Sequence, residues 1–69
     1  MKLSEAQRAF LRELVKWSGA ATSQELGPVM YRSEDAARQT CKRRGLVTYD
    51  KYYWRITDAG RAALEGSEK

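Results

Sequence analysis

Apolar residues return at helical spacing along the first part of the chain. Phe10, Leu11, Leu14 and Trp17 fall on one side of a helix, with Val15 at its rim. Arg8, Arg12, Glu13 and Lys16 take the outer face. Ser4-Glu5-Ala6-Gln7 reads as a capping box that opens this helix, and Gly19 as its stop. Trp17 is expected in the core. Ala20-Ala21 is a short extended link, suited to add one strand to a later hairpin. Thr22-Ser23-Gln24-Glu25 is a second capping box and starts a second helix, in which Leu26, Val29 and Met30 would face inward. Gly27-Pro28 interrupts it, because proline lacks the N–H that Gln24 would accept and its ring crowds that carbonyl. The second helix is therefore expected to be short, kinked or broken, with Tyr31-Arg32 as the turn after it.

A third helix is expected over residues 33–44, capped by Ser33 and stopped by Gly45. Glu34 and Asp35 in its first turn, and Lys42, Arg43 and Arg44 in its last, match the helix dipole. At about 100° per residue, Ala36, Ala37, Thr40, Cys41 and Arg44 cluster on a small inner side. Asp35, Arg38, Gln39 and Lys42 lie opposite, with Glu34 and Arg43 at the edges. Leu46-Val47-Thr48-Tyr49 then reads as a strand, Asp50-Lys51 as a turn, and residues 52–56 as the returning strand. Strand alternation puts Tyr52, Trp54 and Ile56 on one face, and Tyr53 and Arg55 on the other. Trp54 and Ile56 are expected to cover the core. Thr57 caps a short last helix from which Ala59, Ala63 and Leu64 pack back. Gly60 inside that helix costs about 1 kcal/mol relative to alanine, which points to close packing there. Residues 66–69 read as a short frayed tail.

Composition narrows the classes of function. The 69 residues allow one domain, 1–69, with its core at about 3–65. Thirteen Lys and Arg face nine Asp and Glu, for a net charge of +4 and a pI near 9.5. Eight of the basic and four of the acidic residues fall between Arg32 and Arg61, so that span holds the whole excess. Clustered basic charge on a small domain points to a polyanionic partner, most often nucleic acid. With one cysteine and no histidine, an intramolecular disulfide and the usual zinc sites are excluded, and no cofactor is expected. Cys41 reads as a small apolar core residue, since no histidine is present to activate a thiol. No catalytic constellation or glycine-rich phosphate loop is visible, so an enzyme is not expected. No apolar run approaches the ~18 residues of a membrane span, and the N-terminus lacks the apolar core of a signal peptide. The simplest expectation is a cytoplasmic protein without a membrane partner.

Three pieces of the chain resemble a known family. They are Thr22-Ser23-Gln24-Glu25-Leu26, then Arg43-Arg44-Gly45-Leu46-Val47, then the run from Trp54-Arg55-Ile56-Thr57-Asp58-Ala59-Gly60-Arg61 to Leu64. Together they look like the winged helix-turn-helix domains of MarR-type and related prokaryotic repressors. The last two pieces are the more specific, and the resemblance spans about residues 3 to 65. It implies an α+β fold of three helices, a short two- or three-stranded wing and a short C-terminal helix. It also implies a DNA-binding, transcription-regulating role in a prokaryote, virus or plasmid. Helix 33–44 would enter the major groove, with wing 46–56 on the backbone. The chain departs from the family at Gly27-Pro28, in the acidic start of helix 33–44, in its short wing, and in lacking the long terminal helices of MarR-type dimers.

On this reading the partner is double-stranded DNA. Arg38, Gln39 and Lys42 are the candidates for base contacts, because Arg pairs with guanine O6/N7 and Gln with adenine N6/N7. Arg32, Ser33, Arg43, Lys51 and Arg55 suit phosphate contacts, which position a domain without specifying sequence. Glu34 and Asp35 either accept from cytosine N4 or repel phosphate; the sequence leaves both open. Tight specific binding would call for a homodimer on a two-fold site. The alternative is a winged-helix module that docks on another protein without binding DNA, favoured by the acidic start of the third helix and the Tyr-rich hairpin. A further alternative uses Tyr49, Tyr52 and Tyr53 to stack single-stranded nucleic acid; cross-strand packing is the simpler account of them.

Overall fold

Helix α1 (Glu5–Lys16) begins where its capping box puts it in the computed structural model, which describes residues 3–68. Ser4 Oγ accepts from the Gln7 N–H at 3.2 Å, and Gln7 Oε1 accepts from the Ser4 N–H at 2.8 Å. The helix ends in a Schellman turn. The Gly19 N–H donates to the Leu14 carbonyl at 2.7 Å and the Ser18 N–H to that of Val15 at 3.0 Å. Ser18 takes the first left-handed position (φ 63°), ahead of Gly19 (φ 97°). Trp17 therefore caps the helix instead of joining its buried stripe. It is 41% exposed, and its indole N–H donates to Glu13 Oε1 at 3.3 Å. The expectation of a core Trp17 is corrected: the chain turns away before the stripe reaches it.

Strand β1 (Ala20–Thr22) joins the later hairpin, as the extended link allowed. Helix α2 (Ser23–Leu26) is a single turn. Its capping box forms, with Thr22 Oγ1 accepting from the Glu25 N–H at 3.0 Å and Glu25 Oε1 from the Thr22 N–H at 2.9 Å. Gly27, at φ 86°, and Pro28 then stop it. Leu26 packs on the core, whereas Val29 and Met30 are exposed. Their expected inward aim fails for a simple reason: no helix continues past Leu26 to aim them.

Helix α3 (Arg32–Arg43) starts and ends one residue earlier than expected. Tyr31 is its N-cap and provides no side-chain cap, so Ser33 lies in the first turn. Arg32 belongs to the helix rather than to the turn before it. The C-terminal Schellman turn has glycine in its favoured place. The Leu46 N–H donates to the Cys41 carbonyl at 2.9 Å and the Gly45 N–H to that of Lys42 at 3.2 Å, with Gly45 at φ 74°.

Strands β2 (Val47–Asp50) and β3 (Tyr53–Ile56) pair antiparallel, from Val47 opposite Ile56 to Asp50 opposite Tyr53. The connecting pair is Lys51-Tyr52, one residue beyond the expected Asp50-Lys51, with Lys51 at φ 48°. Tyr52 consequently stands exposed on the turn and leaves the core face to Trp54 and Ile56. β1 pairs with the other edge of β3, Ala21 opposite Trp54, giving the sheet order β1-β3-β2. Trp54 is buried edge-on to Phe10, with ring centres 5.5 Å apart, and its indole N–H donates to Ser23 Oγ at 3.2 Å.

Helix α4 (Asp58–Glu68) is capped by Thr57, whose Oγ1 accepts from the Gly60 N–H at 3.0 Å. It is longer than expected, and Gly66 and Ser67 lie within it; residue 69 is outside the described range. The described residues thus form an α+β fold, with four helices and a three-stranded antiparallel sheet. Leu11, Leu14, Cys41 and Val47 are its largest fully buried side chains, flanked by Phe10, Trp54 and Leu64.

Candidate nucleic-acid interface

Which side of α3 faces outward is decided by where its small residues meet α1. Ala37 and Cys41 are buried, and Glu34, Arg38 and Thr40 are half-buried. Arg32, Asp35, Ala36, Gln39, Lys42 and Arg43 are exposed. The buried seam is therefore rotated from the one expected: Ala36 turns out and Arg38 turns in. The Arg38 guanidinium lies 5.5 Å from the centre of the ring of Phe10 on α1. Arg38 is thus not on the free face where the helical projection put it. Ala37, Thr40 and Cys41 stay on the inner side, and the seam turns by roughly half of the 100° that separates successive residues; a face of mostly small residues carries no bulky marker to fix it.

The exposed face of α3 runs Arg32, Gln39 and Arg43 along its middle, with Asp35 and Lys42 on one flank. Arg43 reaches back along the helix, and its Nη2 donates to Thr40 Oγ1 at 3.3 Å. Lys42 bridges toward the hairpin, its Nζ 5.8 Å from the centre of the Tyr49 ring. Tyr49 in turn packs on Trp54, ring centres 4.6 Å apart. The Tyr49 ring is therefore part of the hairpin's own packing. Arg55 lies over Tyr53 at 5.4 Å, and Lys51 stands exposed at the hairpin turn. Ser33 is exposed in the first turn of α3.

Among the sequence candidates, then, Gln39, Lys42, Arg32, Ser33 and Arg43 share one helix, and Lys51 and Arg55 sit on the adjoining hairpin. Arg38 is drawn onto α1 instead. Arg43, expected at the edge, is central. Glu34 faces α1 and the preceding linker, and its Oε2 accepts from the Met30 N–H at 3.0 Å. Of the two acidic residues in question, only Asp35 remains on the exposed face.

Cys41 is fully buried, and burial raises its thiol above the ordinary range against a smaller opposing pull from Arg44. A thiol held protonated and out of reach packs rather than reacts. Among the described residues no group of three or more His, Cys, Asp or Glu is placed to hold a metal ion, and no helix is long and apolar enough to cross a membrane. The chain matches no family model, no curated protein and no solved structure.

Proposed function

We propose that this chain is a winged helix-turn-helix domain that binds double-stranded DNA, with α3 in the major groove and the β2-β3 hairpin along the backbone. The observation that carries the reading is the exposed set Arg32, Gln39, Lys42 and Arg43 on α3, joined to the hairpin where Lys42 lies over Tyr49, with Lys51 exposed at the hairpin turn and Arg55 on the outer face of the sheet. A helix of about 18 Å, 1.5 Å per residue, is enough to lie in a groove about 12 Å wide. Gln39 is suited to adenine N6/N7 and Arg43 to guanine O6/N7. Arg32, Ser33, Lys51 and Arg55 are suited to phosphates, with Lys42 between the two roles. Arg38 acts by holding α3 on Phe10. Asp35 is the one carboxylate within the reading face, placed either to accept from a cytosine amino group or to select against phosphate approach. The role that fits is a small transcriptional regulator, binding two-fold sites as a pair of copies.

Fluorescence anisotropy of a labelled random-sequence duplex, titrated at several salt concentrations, tests this. Four to six phosphate contacts would give a slope of log affinity on log salt of about −4 to −5. Replacing Lys42 and Arg43 together by alanine is expected to weaken binding at least about tenfold with an unchanged thermal melt, since each charged contact supplies about 1 kcal/mol or more. Asp35→Asn is expected to change sequence preference if it reads cytosine, and to tighten binding to every duplex if it only repels. Absence of binding at about 50 mM salt, or binding indifferent to Lys42 and Arg43, would remove the reading.

A further inference from the structure

The side of α3 turned away from the reading face borders a large apolar groove that none of the described residues fills. Its volume is about 1030 Å³. Phe10 with Ala6 and Ala9 of α1 forms one side; Leu26, Pro28, Met30 and Tyr31 form the other. Met30 is 71% exposed and Tyr31 68%. They follow directly from the break at Gly27-Pro28, which leaves residues 27–30 without helix and holds Met30 and Tyr31 open. Apolar residues this large and this exposed, side by side, mark a contact surface rather than ordinary surface scatter.

Charge says what kind of partner suits it. The lining carries three carboxylates, Glu5, Glu13 and Glu34, against the single guanidinium of Arg38. Two of the carboxylates are held in place, Glu13 by the Trp17 indole N–H and Glu34 by the Met30 N–H. Arg38 lies over Phe10. In a chain of net charge +4 this is a local acidic region, the opposite of the α3 and hairpin surface. Phosphate and anionic lipid are repelled here. A face-to-face second copy would set carboxylate against carboxylate. No strand residue lines the groove, so its occupant gains no sheet edge to pair with and must satisfy its own backbone. That describes a helix. The α1 lining from Glu5 to Glu13 runs about 12 Å, at 1.5 Å per residue, or two helical turns.

We infer that this groove receives an amphipathic helix of another protein, apolar along one face and edged with lysine or arginine. The helix would insert its apolar side chains beside Phe10 and Met30, and its cations would meet Glu5, Glu13 and Glu34. Glu34 and Arg38 face the groove while Arg32, Gln39 and Arg43 face away, so the helix and a duplex meet different sides of α3, with Ser33 at the border between them. The inference stands whether or not the opposite side binds DNA.

The probe is a synthetic peptide of about two heptads, leucine on one face and lysine on the other, titrated into nitrogen-15-labelled protein. A counterpart carries glutamate in place of every lysine. The lysine peptide is expected to shift the amides of Ala6, Ala9, Met30 and Glu34 saturably, while the glutamate peptide leaves them in place. Glu13→Lys and Met30→Ser, each checked for native amide dispersion, are each expected to weaken binding about tenfold or more, the size of one lost hot-spot contact. Duplex binding by these two variants, measured separately, reports on the other face and keeps the two readings distinguishable. Equal binding of both peptides, shifts centred elsewhere, or no shifts overturns the inference. So does self-association through the same amides at rising protein concentration, which would make the occupant a second copy.

Discussion

Ser18 and Gly45 hold the same station in two helix ends, and they make the sharpest single-residue comparison in the chain. Each is the first residue past the cap of a Schellman turn, at φ 63° and 74° respectively. Glycine adopts that conformation freely, whereas an L side chain pays about 1–2 kcal/mol in steric contact with its own backbone. Nothing lies within 4 Å of a Cβ built on Gly45, so conformation alone sets the cost there. Ser18→Gly is expected to raise stability by about 0.5–1 kcal/mol and Gly45→Ala to lower it by about 1–2 kcal/mol. Urea unfolding of both variants checks this. Changes of the same sign would mean that side-chain contacts, not backbone conformation, dominate at these turns.

At the scale of elements, the placement of α4 depends on one close contact and one hydroxyl. The Thr57 N–H donates to the Leu46 carbonyl at 3.0 Å, and its Oγ1 donates to the Gly45 carbonyl at 2.6 Å while accepting from Gly60. The start of α4 is thereby tied to the turn that ends α3. Gly60 lies directly against that turn: a Cβ there would overlap the Leu46 carbonyl oxygen and crowd Ile56. The Leu46 contact is backbone, which leaves little room to yield, while the Ile56 contact is a side chain. Gly60→Ala is expected to destabilise by about 1–3 kcal/mol despite alanine's better helix propensity. Gly66→Ala, in the same helix with nothing within 4 Å, is expected to stabilise by up to about 1 kcal/mol. Thermal or urea melts of the pair decide the point; a gain from both would show that α4 is not pressed against the turn.

For the molecule as a whole, Cys41 serves as a built-in reporter of opening. It is fully buried where α3 meets the core. A 69-residue domain of ordinary stability, at about 0.05–0.15 kcal/mol per residue, holds together by about 3–10 kcal/mol. Alkylation of the native thiol is therefore expected to run at least about a hundredfold slower than in urea-unfolded chain. The pH dependence has a definite sign. Burial raises the native thiol, so as pH climbs through the ordinary thiol range the unfolded chain loses its proton first. Unfolding then releases a proton, and stability falls with rising pH. Cys41→Ala is expected to start lower and to lack that part of the alkaline decline, read from urea midpoints against pH. Fast alkylation of folded protein would show that α3 lifts off locally.

What the sequence determined by itself is what closes within a few residues. Both capping boxes, the break at Gly27-Pro28, the Thr57 cap and the stop at Gly45 depend on hydrogen bonds and steric contacts between near neighbours, and each forms where its residues stand. The hairpin was legible apart from its turn, which comes one residue later, and a glycine inside a helix signalled the close packing at Gly60 without naming its partner, Leu46; the exposure of Gln39, Lys42, Lys51 and Arg55 was legible as well. Tertiary structure alone decided how those pieces turn against one another. Trp17 continued an apolar stripe, yet the turn at Ser18 took it out of the core. Met30 had the spacing of a buried residue and lost the helix that would have buried it. Arg38 and Arg43 exchanged places because Ala37 and Cys41, not Ala36 and Arg44, meet α1. A helix of small residues can be seated at several rotations with similar local energy. The packing of Phe10, Trp54 and the leucines of α1 selects one of them, and with it the face that α3 presents.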